Sequence, residues 1–176
     1  MGCGYDSSAN NRERISKLTD WGEKNMPTSD KDPAHADMLI LLTRVSLAQM
    51  GSTCATKFGR TVNNDIGLAS AIIIAHEAAH TFGLGHDGKG ARCNNGEYIM
   101  SSAVSDGQNA FKWSPCSSKL IQDFLTGSGS SCLDDNPHDF IHEPTIFHNK
   151  LPGQIMNAIF QCRLQYGSQY YHVPRE

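Results

Sequence analysis

The stretch HEAAHTFGLGHD, residues 76–87, places three histidines, a glutamate and two glycines within twelve positions. On a helix, His76 and His80 are four residues apart, so both imidazoles project from one face. Two neutral imidazoles at that separation can each reach one zinc ion at about 2.0–2.1 Å. The spacing therefore predicts a zinc site with these two histidines as ligands.

Two further residues of the stretch could complete such a site. Glu77 is next to the first ligand and too close along the chain to be a third one, so its expected role is a general base that takes a proton from water. Gly83 permits a sharp turn, after which His86 can supply the third nitrogen. A short HExxH arises by chance, and a core histidine is commoner than a ligand. The longer H-E-x-x-H-x-x-G-x-x-H pattern favours an open, catalytic zinc site.

The element that must position these ligands is a helix. From Asp65 the apolar spacing becomes helical, with Leu68, Ile72 and Phe82 on the pattern. Gly83 is expected to end this helix as a C-terminal glycine cap.

The elements around that helix are less uniform. Residues 11–25 predict an amphipathic helix that fades at Gly22, and DMLILLTRV (37–45) predicts a buried strand. Residues 46–64 fit short edge strands, residues 88–113 are expected to be irregular, and residues 151–176 match neither a finished helix nor a finished sheet.

A second clear helix is expected in SPCSSKLIQDFLTG. Ser114 is the predicted N-cap, Pro115 the first helical residue and Gly127 the stop. The predicted buried stripe consists of Leu120, Ile121, Phe124 and Leu125.

Composition narrows the class of protein. The chain has 176 residues, enough for one core-bearing domain, and its 39% hydrophobic and 19% charged residues are typical of a globular protein. A net charge of -3 offers no electrostatic case for a nucleic-acid partner or an anionic membrane. No apolar run approaches the roughly 20 residues of a membrane span.

The cysteines favour an oxidising compartment. Six of them are scattered along the chain without a CxxC pair, which indicates disulfides rather than a zinc ribbon. The start, MGCGYDSSANNRER, lacks the apolar core of a signal peptide. We therefore expect the sequence to be an internal piece of a longer secreted protein.

Several motifs resemble one protease family. HEAAHTFGLGHD resembles the metzincin zinc signature, and the aspartate at its end, Asp87, resembles the adamalysin (reprolysin) branch. EYIMSS (97–102) resembles the segment that carries the metzincin Met-turn, with Met100 as its methionine. WSPCSSKLIQDFLTGSGSSCLDDNP (113–137) resembles the C-terminus of ADAMTS catalytic domains, and LPGQIMNAIFQCRLQYG (151–167) is similar to the opening of their disintegrin-like module.

The resemblance implies a fold and a domain organisation. The expected fold is the α+β zincin (metzincin) fold: a mixed β-sheet, a zinc-binding helix, a Met-turn and a C-terminal helix. Residues 1–137 would be a partial ADAMTS-like catalytic domain, 138–150 a linker and 151–176 the truncated start of the disintegrin-like module. The strands that open the family's catalytic domain have no counterpart here and are expected to be missing.

The resemblance also implies roles for residues of the site. His76, His80 and His86 would bind zinc and Glu77 would be the base. Asp87 would support the ligands from behind, and Met100 would lie beneath the metal. The loop 101–113 would wall the substrate pocket, and LAQMGST (47–53) would be the edge strand that pairs with an extended peptide.

Disulfides and a calcium site follow from the same resemblance. Cys54 would pair with Cys132 and Cys93 with Cys116, which leaves Cys3 and Cys162 unpaired. Asp37 and Asp135 match positions that bind a structural calcium ion. The alternative for both aspartates is an ordinary solvated surface charge.

The function expected from these residues is that of a secreted zinc metalloendopeptidase. Its substrates would be extracellular-matrix proteins such as proteoglycan cores or procollagen, and we expect a monomer without nucleic-acid or membrane partners. The alternative is a truncated, weakly active or non-catalytic fragment that acts as a binding module. The enzyme is favoured because every catalytic position carries a competent residue.

Overall fold

The computed structural model describes residues 11–29, 31–32, 34–54, 59–88, 93–103, 107–134 and 149–173. Its helices and strands, in chain order, are α1 (Asn11–Asn25), β1 (Met38–Thr43), β2 (Leu47–Ala48), β3 (Gly59–Asn64), α2 (Ser70–Thr81), α3 (Pro115–Thr126), α4 (Pro152–Ile155) and α5 (Ala158–Tyr166). Two 3₁₀ helices, Gly67–Ala69 and Ser128–Leu133, precede α2 and follow α3.

The three strands form one mixed sheet in the order β1-β3-β2. β1 runs parallel to β3, with Met38 opposite Gly59, and β2 runs antiparallel to β3, with Leu47 opposite Val62. The strand predicted at 37–45 is present as β1, one residue shorter at its N-terminal end and two at its C-terminal end. The prediction that it is buried is wrong, because β1 lies at an edge of the sheet and about half of the Ile40 and Leu42 surface is exposed. The mixed sheet together with helices agrees with the predicted α+β class.

The prediction of edge strands within residues 46–64 is right for β2 and wrong for β3. β3 is the central strand, and five of its six residues are buried although its sequence, GRTVNN, is mostly polar. Its polar groups find partners inside the sheet: Asn63 donates to Thr61 Oγ1 at 2.7 Å, and Arg60 donates to Gln49 Oε1 at 3.1 Å. These two hydrogen bonds offset part of the cost of burying the polar side chains.

The helix that carries the histidines begins later than predicted. α2 starts at Ser70, not Asp65, because Gly67 adopts a left-handed conformation (φ +79°) that an α-helix cannot contain. The Asp65 carboxylate accepts from Gly67 N–H at 3.2 Å, and the Ser70 hydroxyl accepts from Ile66 N–H at 2.8 Å. These local bonds compete with helical ones and shorten the helix.

The predicted bounds of α3 are confirmed, whereas α1 continues to Asn25 through Gly22, where the helix was expected to fade. Ser114 caps α3 by accepting from Ser117 N–H at 3.0 Å, Pro115 is the first helical residue, and the helix ends before Gly127. The predicted apolar stripe of α3 is too wide, however. Ile121 packs against the core, and the ring of Phe124 stacks on Phe82 at 4.9 Å. Leu120 and Leu125 are instead exposed.

Two helices occur where the sequence predicted no finished element. α4 and α5 lie within residues 151–176, and the Asn157 side chain caps α5 by accepting from Phe160 N–H at 2.9 Å. Gly167 follows α5 at φ +112°. The apolar residues of α5 do not form a single buried face, since Ile159, Phe160 and Leu164 are all exposed. The sequence of α5 therefore lacks the apolar periodicity by which a helix packed on a core is predicted.

A hydrophobic core cluster lies around the C-terminal end of α2. Ala79, Leu84, Ile99 and Met100 form this cluster, and Trp113 packs against it. The structure contains both disulfides that the resemblance implied, Cys54–Cys132 and Cys93–Cys116. Cys162 is a free thiol, while Cys3 lies outside the described residues.

Over the described ranges, none of the helices has the length and apolar character needed to cross a membrane.

Candidate metal centre

α2 and the turn after it bring the three histidines together. His76 and His80 lie one turn apart on α2, and His86 returns to them after the turn at Gly83. The Nε2 atom of His86 is 3.2 Å from Nε2 of His76 and 3.2 Å from Nε2 of His80. The structure therefore places all three predicted ligands at one point, with their ligand atoms within 4.8 Å of one another.

The return of His86 depends on how α2 ends. Gly83 has φ +91°, its N–H donates to His80 O at 2.9 Å, and Leu84 N–H donates to Ala79 O at 3.1 Å. This is the Schellman arrangement of two bonds around a left-handed glycine. The glycine cap predicted at this position is confirmed.

The outer ring nitrogens of two histidines define their protonation. His76 Nδ1 is 2.7 Å from Ile99 O, and His80 Nδ1 is 2.6 Å from Leu84 O. A carbonyl oxygen only accepts, so each Nδ1 carries a proton, and in the neutral ring each Nε2 presents a lone pair. Both lone pairs belong to the Nε2 atoms that converge on His86.

This donor set fits a zinc ion. Two Zn–N bonds of about 2.1 Å at a tetrahedral angle separate their nitrogens by about 3.4 Å, close to the observed spacing to His86. Carbonyl acceptors on the outer nitrogens are the usual support of metal-binding histidines. His76, His80 and His86 could therefore hold a metal ion through Nε2.

Burial makes the centre a poorly solvated environment. Glu77, adjacent to the first histidine, is buried, and this desolvation raises the pKa of its carboxyl group to about 7. Desolvation is also the main cause that lowers the pKa of His76, and the neighbouring Ile99 carbonyl partly opposes it. A neutral imidazole is the form that binds a metal.

Asp87 and Met100 meet beside the histidines. Met100 is fully buried in the cluster that includes Ala79 and Leu84, and its carbonyl accepts from Asp87 N–H at 2.9 Å. The Asp87 carboxylate accepts from the hydroxyls of Ser114 and Ser117. Sequence reasoning missed these two serines as part of the site, because Ser114 carried only an N-cap signal and Ser117 none.

The edge-strand segment 47–53 is tied to the end of α2. Gly51 N–H donates to His80 O at 2.9 Å, and Thr53 N–H donates to Thr81 O at 3.1 Å. The bond from Thr53 satisfies a carbonyl of the last helical turn, and His80 O accepts from Gly51 N–H in addition to Gly83 N–H. The predicted peptide-binding edge is thus anchored directly to the helix that carries His80.

Only one of the two predicted calcium ligands, Asp37, lies within the described residues. Asp37 accepts from Gly59 N–H through its backbone carbonyl, and its carboxylate lies 3.8 Å from His35 Nε2. Asp135 lies outside the described residues. Calcium binding stays a prediction.

Comparison with known proteins agrees with this geometry. Residues 6–137 match the family described as reprolysin (M12B) family zinc metalloprotease.

Individual relatives are long proteins of one kind. The chain is 36% identical over 154 residues to the human protein "A disintegrin and metalloproteinase with thrombospondin motifs 6", a match that covers 77% of this chain and 13% of the relative. It is 33% identical over 169 residues to mouse "A disintegrin and metalloproteinase with thrombospondin motifs 12", covering 87% and 10%. It is 30% identical over 187 residues to rat "A disintegrin and metalloproteinase with thrombospondin motifs 1", covering 97% and 19%.

The matched part is thus between 10% and 19% of these relatives' own length. Within this chain, however, the family match includes all three histidines, Glu77, Asp87 and Met100. The chain belongs to the reprolysin (M12B) family of zinc metalloproteases.

Proposed function

We propose that this chain carries the catalytic centre of a zinc-dependent metalloendopeptidase. His76, His80 and His86 hold the zinc ion, and Glu77 is the general base. The observation that carries this proposal is the convergence of the three Nε2 atoms, two of them 3.2 Å from the third, beside a buried glutamate on the same helix.

The chemistry follows from the positions of these groups. A bound zinc ion supplies Lewis acidity, which activates water and polarises the peptide carbonyl. Glu77 takes the proton of the attacking water at its carboxylate and returns it to the amine that leaves when the peptide bond breaks. Burial raises the pKa of the Glu77 carboxyl group to about 7 in the metal-free chain, and the positive charge of a bound zinc ion would favour its ionised form, which is the form a general base requires.

The substrate of such a centre is an extended peptide segment. β2 pairs with β3 on one side only among the described strands, so an extended chain can add antiparallel to the other side of Leu47–Ala48. The bonds from Gly51 and Thr53 to α2 hold that edge in register with His80. The loop 101–113 is the proposed wall of the side-chain pocket, and Phe111 in it presents an exposed ring.

The proposed biological setting is the extracellular matrix. Two disulfides over this length of chain suit an oxidising, secretory environment. The similarity to ADAMTS proteins supports matrix proteins, such as proteoglycan cores and procollagen, as substrates. The same similarity supports a division into a catalytic part (1–137), a linker (138–150) and the start of a disintegrin-like module (151–176). The family match ends at residue 137.

The test compares the parent chain with Glu77→Gln. We expect one zinc ion per chain in both, and peptide-bond cleavage in the variant reduced by on the order of 10²–10⁴-fold, the usual contribution of a general base. Zinc content and cleavage of a quenched peptide and a proteoglycan core protein are the measurements, each repeated with a zinc chelator. Glu13→Gln on α1 is the matched control, since its exposed carboxylate forms an ion pair with Lys17 in the next turn and lies on a different helix from the histidines.

Two results would decide against this assignment. Cleavage that persists in Glu77→Gln removes Glu77 as the base. Stoichiometric zinc binding without any cleavage by the parent chain would favour the binding-module alternative.

A further inference from the structure

The N-terminus of α3 meets the residue that follows the third histidine. Asp87 Oδ1 accepts from Ser114 Oγ at 2.8 Å and from Ser117 Oγ at 3.1 Å. The relative exposure of these three residues is 3%, 0% and 2%, respectively. Water therefore does not compete for these bonds, and a buried carboxylate held by two hydroxyl donors has little freedom to turn.

The helix cap leaves the proton of the Ser114 hydroxyl available for Asp87. Ser114 Oγ accepts from Ser117 N–H at 3.0 Å, so its single proton is free to point at Asp87. The carboxylate also lies at the helix N-terminus, where the helix dipole favours negative charge. The cap of α3 and the anchoring of Asp87 are therefore one network.

The backbone of Asp87 is held from the opposite side. Its N–H donates to Met100 O at 2.9 Å, and the preceding carbonyl, Ile99 O, accepts from His76 Nδ1 at 2.7 Å. The consecutive carbonyls of Ile99 and Met100 thus hold the ring of His76 and the backbone of Asp87, respectively. His86 immediately precedes Asp87, so restraining Asp87 on both sides restrains the direction of the His86 ring.

We propose that Ser114 and Ser117 are positioning residues of the metal centre, acting through Asp87 to hold His86 Nε2 towards the other two histidines. This inference rests on the zinc site of the proposed function. Partners that orient a metal ligand from outside typically change metal affinity by about 10–100-fold when removed. The N-terminus of α3 would then strengthen zinc binding through Asp87, although none of its side chains is a zinc ligand.

The experiment measures zinc affinity of the full chain by competition with a chromophoric chelator. We expect Ser117→Ala to raise the zinc dissociation constant by about tenfold and to alter the visible spectrum of the cobalt-substituted chain. Ser118→Ala, an exposed serine one residue further along α3, should leave both unchanged. Ser114→Ala should weaken zinc binding at least as much and also lower Tm, since it removes the helix cap.

Coupling through Asp87 separates positioning from general destabilisation. In an Asp87→Ala background, Ser117→Ala should change the zinc dissociation constant by less than twofold, since its partner is already gone. If Asp87→Ala does not unfold cooperatively, the same comparison is made in an Asp87→Asn background. Equal zinc affinity of the parent, Ser117→Ala and Ser118→Ala would overturn this inference alone. A parent chain that binds no zinc would overturn the proposed function, and this inference with it.

Discussion

Glu77 is the residue at which burial and chemistry are most directly connected. Its carboxyl group is buried on α2, and desolvation raises its pKa from 4.5 to about 7. In the metal-free chain the protonated form is therefore favoured by folding. The stability that this group contributes is fully present below about pH 4.5 and is lost as the pH rises through about 7.

The residue-scale prediction concerns this pH dependence. Between pH 5 and pH 8, the free energy of unfolding of the metal-free parent should fall relative to Glu77→Gln by on the order of 1–3 kcal/mol. His76 acts in the opposite direction, because its lowered pKa contributes stability at high pH that is lost as the pH falls. That contribution is present in both chains and cancels in the comparison. Urea unfolding with a chelator present is the measurement, and parallel pH profiles would contradict the prediction.

At the scale of elements, the end of α2 decides whether the third histidine can reach the first two. Gly83 adopts φ +91°, and no atom lies within 4 Å of the position that a Cβ would occupy there. A side chain at this position would therefore meet no steric contact beyond its own backbone. The requirement for glycine is purely conformational.

The element-scale prediction compares two glycines in this turn. Gly83→Ala should lower the free energy of unfolding by about 1–2 kcal/mol, the cost of a left-handed conformation for a residue with a Cβ. It should also weaken zinc binding, since the turn directs His86. Gly85→Ala is the matched control, because Gly85 is exposed, has ordinary φ and open space around its Cβ position, and should change stability by less than about 0.5 kcal/mol. Chemical denaturation checks both, and equal effects of the two substitutions would rule out the conformational explanation.

Across the whole molecule, two disulfides connect segments that are far apart in sequence. Cys54–Cys132 spans 78 residues and joins the end of the 47–53 segment to the chain after α3. Cys93–Cys116 spans 23 residues and joins the first turn of α3 to the segment that precedes Met100. Because a longer closed loop removes more entropy from the unfolded chain, the first bridge is expected to stabilise the fold more.

The whole-molecule prediction is an ordering of two double variants. Loop-closure entropy gives about 4.5 kcal/mol for the longer bridge and about 3.4 kcal/mol for the shorter one. Replacement of Cys54 and Cys132 by serine should therefore lower the urea midpoint more than replacement of Cys93 and Cys116. The shorter bridge lies beside Ser114 and Ser117, so its loss should weaken zinc binding more. The reverse order in both measurements would show that loop length and proximity to the metal centre do not govern these bridges.

The accuracy of sequence reasoning differed between elements for identifiable reasons. α3 was predicted to the residue because its Ser114 cap, its first-turn proline and its stop glycine are local properties of the chain, whereas α1 continues through Gly22, where it was expected to fade. β3 was misplaced because a mostly polar strand becomes central only when its partners on both sides are present. α5 was missed because no buried apolar face marks it.

The sequence by itself indicated the candidate ligand set, the proposed base and the turn between them. His76, Glu77, His80 and Gly83 act through helical spacing and backbone conformation, which depend on a few consecutive residues. Only the tertiary structure decided what holds this set in place. The bonds from Asp87 to Ser114 and Ser117 join residues 27 and 30 positions apart, and the bond from His76 to Ile99 joins residues 23 apart. Such pairs are brought together by packing of the whole core, and no local pattern records them.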